Sequence, residues 1–169
     1  MKTMLTENFS LAEMTGGMNP ATVPHNVRDN LRFLCSNYLE PLREHCQKPI
    51  IVNSAYRTPA ANTAAGGSSP SAGSSFSVGS SPSAGSSLSV GSPTSLHLEG
   101  LAADIRCATF YEACEVLNFF IARWLHHGIG FHEAYVSFNR SWWLHLAVRR
   151  NPADNQLRVR LDWRGRIYI

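Results

Sequence analysis

The sequence predicts an α+β domain on three observations. Helical spacing dominates residues 10–45, apolar strand-like segments dominate residues 131–169, and one amphipathic helix over 109–126 lies between them. Hydrophobic residues make up 44% of the 169 positions, enough for the core of one ordinary domain. The whole chain, 1–169, therefore reads as a single domain with a low-complexity insertion at 68–91.

Ser10-Leu11-Ala12-Glu13 is a capping-box pattern and starts a short helix, which Gly16-Gly17 ends. Val27, Leu31, Leu34, Tyr38 and Leu42 recur at helical spacing after Pro24, a residue suited to a helix start. Pro41 is expected to kink or split the end of that helix. Pro49 to Ser54 reads as a short buried strand, leading into a loop at Tyr56-Arg57-Thr58-Pro59.

Residues 68–79 (SSPSAGSSFSVG) and 80–91 (SSPSAGSSLSVG) form a tandem 12-residue repeat that differs only at Phe76 and Leu88. Its Ser, Gly and Pro content buries too little apolar surface to offset chain entropy, so a disordered surface loop is expected. Leu101 to Ile105 reads as a buried strand. Thr109 to His126 carries Ala113, Val116, Leu117, Phe120, Ile121 and Trp124 on one face, with Gly128 and Gly130 beyond its end. Phe131–Phe138 and Trp142–Arg149 read as strands joined by a turn at Asn139-Arg140. A last pair is expected at 157–161 and 167–169.

The net charge of +3, with no Lys/Arg run, gives no basis for nucleic-acid binding. A weakly basic surface also suits an anionic polymer such as a cell wall. Residues 1–8 hold no apolar signal core, and no stretch reaches the ~20 apolar residues of a membrane span. A monomer made in the cytoplasm without a signal peptide is expected. Cys35, Cys46, Cys107 and Cys114 form no CxxC pair and read as reduced thiols.

The strongest chemical signal is His97-Leu98-Glu99-Gly100-Leu101-Ala102-Ala103-Asp104. A loop histidine and a strand aspartate at this spacing can aim at one point, and a catalytic zinc takes three protein ligands of this kind. His145, placed mid-strand in Trp143-Leu144-His145-Leu146, is the candidate third ligand; the alternative is a hydrogen-bonded core histidine. Arg57 offers a guanidinium that matches a peptide carboxylate, with a surface salt bridge as the alternative. Trp142 and Trp143 alternate faces, one for the core and one for a cleft wall.

SAYRTPAAN at 54–62, GG at 66–67, SLHLEGLAADI at 95–105 and WLHLAV at 143–148 together resemble the M15 family of zinc D-Ala-D-Ala peptidases, which includes carboxypeptidases and phage endolysins. FSLAEMT at 9–15 and NLRFLCSNYLEPLR at 30–43 resemble its phage-type branch. The resemblance covers 9–67 and 92–149, and the repeat falls between as an insertion. It implies a hedgehog/DD-peptidase-like fold, a small antiparallel sheet with helices packed on one side. It implies Zn2+ held by His97, Asp104 and His145, with Arg57 binding a substrate carboxylate or polarising the scissile carbonyl. Ser95 is a second candidate for substrate contact, with a plain loop serine as the alternative.

The resemblance further implies peptidoglycan stem peptides as partners, and action at the cell wall, in the periplasm or in a phage particle. Its members carry a catalytic carboxylate near the last histidine or on the preceding strand. Here those positions hold Trp142, Trp143, Leu144, Ala147 and Ser137. Glu133 is the remaining candidate general base, because it shares strand parity with Tyr135 and Ser137. His126, His127 and His132 are lesser candidates. The expected function is thus a zinc peptidase, and the alternative is a catalytically impaired wall-binding or virion-associated module.

Overall fold

A computed structural model of the chain describes residues 2–65, 95–163 and 165–168. The 68–91 repeat, expected as a loop, lies outside the described residues. Helix α1 spans Leu11–Met14, and the Ser10 hydroxyl accepts the Glu13 N–H as the capping box predicts. Gly16 and Gly17 then take positive φ and turn the chain.

The helix expected over 24–45, with its end kinked or split by Pro41, is three pieces in one rod. These are α2 (His25–Leu34), a π-helical turn at Cys35–Leu39, and α3 (Glu40–Cys46). Pro41 explains the change. It has no N–H for the Asn37 carbonyl four residues back, and its ring crowds that carbonyl. The helix widens there rather than breaking, with the Glu40 N–H bonded to the Cys35 carbonyl. The Asn37 carbonyl instead accepts from Arg123 Nη1 at 2.6 Å.

Strand β1 is only Val52–Ser54, shorter than expected. Helix α4 (Pro59–Ala64) was not foreseen, although Thr58 caps it and Pro59 occupies its first turn. Then come β2 (Ala102–Cys107), α5 (Phe110–His127), β3 (Glu133–Asn139), β4 (Ser141–Ala147), β5 (Arg158–Trp163) and β6 (Gly165–Tyr168). The predicted turn between β3 and β4 holds Arg140 at φ 62°.

The six strands form one sheet in the order β1-β2-β4-β3-β5-β6. Every neighbouring pair is antiparallel except β3 and β5, so the expectation of an antiparallel sheet needs one correction. The tight β3–β4 turn gives β4 the antiparallel side of β3. The chain then returns past the short helical turn Pro152–Asp154 to the start of β3 and runs beside it.

Alternation divides the sheet into two faces. Ile105, Ala134, Val136, Leu144 and Leu146 join Val116, Leu117 and Phe120 of α5 in the core. Trp142 lies on that side, 4.9 Å ring to ring from both Phe110 and Phe138. Tyr38 of the π turn packs on Phe120 and donates its hydroxyl to the Gly130 carbonyl at 2.7 Å. The other face carries Asp104, His145, Tyr135 and Trp143.

Candidate metal centre

His97 stands in a 3-10 turn, Leu96–Glu99, that ends at Gly100 with φ +72°. Gly100 lies so close to α2 that a Cβ there would meet the Val27 carbonyl and Leu31 Cγ at 3.1 Å. Asn30 of α2 also donates to the Glu99 carbonyl at 2.8 Å. The turn is therefore clamped from below. From the side, His97 Nδ1 meets the Ala55 carbonyl at 2.5 Å, and the Arg57 N–H reaches the His97 carbonyl at 3.1 Å. A carbonyl can only accept, so Nδ1 carries a proton and Nε2 is the nitrogen left for the cluster.

Nε2 faces Asp104. His97 Nε2 is 3.4 Å from Asp104 Oδ1, and His145 Nδ1 is 2.8 Å from the same oxygen. Asp104 and His145 are cross-strand partners in β2 and β4, which fixes their side chains on one face. All three residues are buried.

Their ligand atoms lie within 4.8 Å of one another. Two ligands on a tetrahedral zinc with bonds of ~2.0–2.1 Å stand about 3.3 Å apart, close to the 3.4 Å between His97 Nε2 and Asp104 Oδ1. The donor set, two imidazole nitrogens and a carboxylate oxygen, suits zinc. Among the described residues no fourth His, Cys, Asp or Glu joins the group, which is the composition of an open site rather than a closed structural one.

The electrostatics favour the ligating forms. Burial by itself would raise the Asp104 carboxyl, but hydrogen bonds from His145 and His97 hold it well below the usual carboxylate range. Burial pushes the His145 imidazole below its ordinary value, against the pull of Asp104. Near neutral pH the pair is thus an ionised carboxylate beside a neutral imidazole, the states a metal needs.

Arg57 lies against this cluster. Its Nη2 pairs with Asp104 Oδ2, and its Nε donates to Ser54 Oγ at 2.7 Å. The second carboxylate oxygen of Asp104 is thereby occupied, leaving Oδ1 to face the histidines. Arg57, Ala55 and Ser54 also line a cavity of about 370 Å³ with Thr15, Met18 and Asn53.

Glu133 lies on the same face as Tyr135 and Ser137, as strand parity predicts. It pairs across the sheet with Ala147, two residues along β4 from His145. Its carboxylate forms an ion pair with Arg160 of β5. Ser95 opens the 3-10 turn and caps it without a side-chain bond. His132 is buried with Nδ1 on the Asp154 carbonyl, and His126 and His127 are exposed at the end of α5, so none of the three joins the cluster.

Two neighbours were not anticipated. Tyr135 stacks on His145, ring centroids 4.6 Å apart and planes 23° off parallel, and Trp143 meets Tyr135 edge-on at 5.6 Å. Arg160 holds its guanidinium 4.8 Å from the centre of the Tyr135 ring. Tyr135 shares parity with Glu133 and was within reach of the strand pattern. Arg160 was not, because it depends on the parallel pairing of β3 with β5.

Residues 7–74 match the family model described as Peptidase M15. Over this segment the chain is similar to the M15 peptidase family. The matched segment takes in Ser54, Ala55 and Arg57, the residues that flank the candidate metal cluster, and ends before His97, Asp104 and His145. That similarity suggests a zinc peptidase acting on a peptide substrate, and the His-Asp-His cluster able to hold a metal ion agrees with it. Among curated proteins the chain has no match. Among the described residues no helix is long and apolar enough to cross a membrane.

Proposed function

We propose that the protein is a zinc metallopeptidase that hydrolyses peptide bonds in peptidoglycan stem peptides, of the D-Ala-D-Ala carboxypeptidase or endopeptidase kind. The observation that carries this reading is the convergence of His97 Nε2, Asp104 Oδ1 and His145 Nδ1 on one buried point in a chain whose residues 7–74 match the M15 peptidase model. These three residues would hold the ion. When bound, zinc supplies Lewis acidity, which acidifies water and polarises a carbonyl.

The chain's own residues do the remainder. Ala55 fixes the tautomer of His97, and Arg57 fixes the orientation of Asp104. Arg57 has five N–H donors, and those beyond its Asp104 and Ser54 bonds suit a substrate carboxylate or scissile carbonyl. Ser95, at the entrance to the turn, is within the same assignment as a substrate contact. Glu133 is the proton carrier, taking a proton on a carboxylate oxygen and returning it to the leaving amine. The site of action is the cell wall, the periplasm or a phage particle, where such peptides are met.

One observation favours a second reading, a metal-containing wall-binding module without turnover. Glu133 is engaged by Arg160, and among the described residues no other carboxylate accompanies Asp104 in the cluster. Incubation with peptides ending in D-Ala-D-Ala and with purified peptidoglycan, followed by mass spectrometry and metal analysis, separates the readings. Cleavage lost in His97→Ala supports the peptidase. Binding without cleavage at high protein concentration supports the module. Absence of stoichiometric zinc, with His97→Ala unchanged in metal content and activity, overturns both.

A further inference from the structure

Asp104, His145, Tyr135 and Arg160 form one row across four adjacent strands, each the register partner of the next. Their side chains share a face and touch in sequence. Asp104 hydrogen-bonds His145, His145 stacks on Tyr135, and Arg160 lies over Tyr135. Arg57 ends the row on the far side by its pair with Asp104. Each ligand on the sheet therefore has an outer partner, Arg57 for Asp104 and the Tyr135 ring for His145.

The two supports differ in kind. A carboxylate is oriented by a directional ion pair, whereas an imidazole whose Nδ1 faces the cluster can still rotate about its Cβ–Cγ bond. A ring stacked nearly parallel at 4.6 Å blocks that rotation. Arg160 fixes the Tyr135 ring in turn, because a guanidinium is attracted to an aromatic face and is itself held by Glu133.

We infer that Tyr135, backed by Arg160, is a positioning residue that sets the plane of the His145 imidazole and so the affinity and geometry of the metal site. The inference rests on the reading of His145 as a metal ligand. It assigns a role to β5, which supplies no ligand itself.

The test measures metal rather than turnover. Zinc affinity is determined by chelator competition, and the visible spectrum of the cobalt-substituted protein reports ligand geometry, for the wild type and for Tyr135→Leu, Tyr135→Phe and Arg160→Gln. Circular dichroism of each metal-free variant checks that the fold is retained. Tyr135→Leu is expected to weaken zinc binding ~10–100-fold and to shift the cobalt bands, as loss of an outer partner does elsewhere. Tyr135→Phe keeps the ring and should restore both, and Arg160→Gln should weaken binding by about two- to five-fold.

A folded Tyr135→Leu protein with wild-type zinc affinity and an unchanged cobalt spectrum overturns the inference. If Tyr135→Leu does not fold, Tyr135→Val, which keeps a strand-favouring side chain, carries the same comparison. A wild-type protein that binds no zinc overturns the metal reading instead, so the two failures are distinct.

Discussion

Replacing Asp104 by asparagine tests the metal centre with the least change of shape. The carboxylate is the only charged member of the ligand set, its side chain is 8% exposed, and it meets His97, His145 and Arg57 at once. Structural zinc sites bind with ~10–16 kcal/mol, or roughly 2.5–4 kcal/mol for each of four ligands, which is ~70–900-fold in affinity. At zinc 100-fold above the wild-type Kd, binding stabilises the fold by about 2.7 kcal/mol, so Tm should rise by roughly 5–11 °C in a chain of this size. In Asp104→Asn the same zinc concentration is at most about equal to Kd. The gain then falls to about 0.4 kcal/mol, a rise of under roughly 2 °C. Thermal unfolding of both proteins, each with and without zinc, gives the four values needed. The metal-free variant also starts lower, because Arg57 has lost its partner. If metal-free Asp104→Asn is folded and zinc raises its Tm as much as that of the wild type, the assignment of Asp104 is refuted.

Three further outcomes are expected. Glu133→Gln should lower turnover ~100–10,000-fold while leaving zinc content intact, as measured by peptide cleavage and metal analysis, since a general base is lost but no ligand is. Gly100→Ala should cost about 1–3 kcal/mol in denaturant unfolding and also weaken zinc binding, because a side chain at φ +72° pressed on Val27 and Leu31 displaces the turn that carries His97. Burial lowers the His132 imidazole below its ordinary value in the folded state, so its contribution to stability is present above about pH 6.5 and is lost as the pH falls through the lower folded value. His132→Gln should therefore show a shallower decline of unfolding free energy between pH 7 and 5 than the wild type.

Much of the candidate metal centre was legible because its parts are local in sequence. His97 and Asp104 share one short motif, and His145 stands out as a polar residue amid apolar strand positions. The face of Glu133 followed from a period of two alone. What could not be read depends on pairing. Nothing local to Arg160 says that β5 runs parallel to β3 and places it over Tyr135. Likewise, the π turn before Pro41 required knowing that Arg123, 86 residues from Asn37, would satisfy the carbonyl left without its usual donor. Pro41 marked a disturbance but not which way the backbone would yield. Helix α4 was missed although Thr58-Pro59 carries a start signal, because the six residues that follow are too short and too weakly amphipathic to display helical periodicity.

The clamps on the His97 turn have a consequence for how the gene can change. The Ala55 carbonyl, the Arg57 N–H, Asn30 and the close seat of Gly100 on α2 fix the turn through contacts with residues before 66. None of these contacts runs through the 68–91 repeat. Tandem repeats gain and lose whole units by replication slippage, and each unit here is 12 residues, so the reading frame survives. Variants with one or three copies should thus keep the same His-Asp-His geometry. Changes of length immediately before the motif should leave it in place.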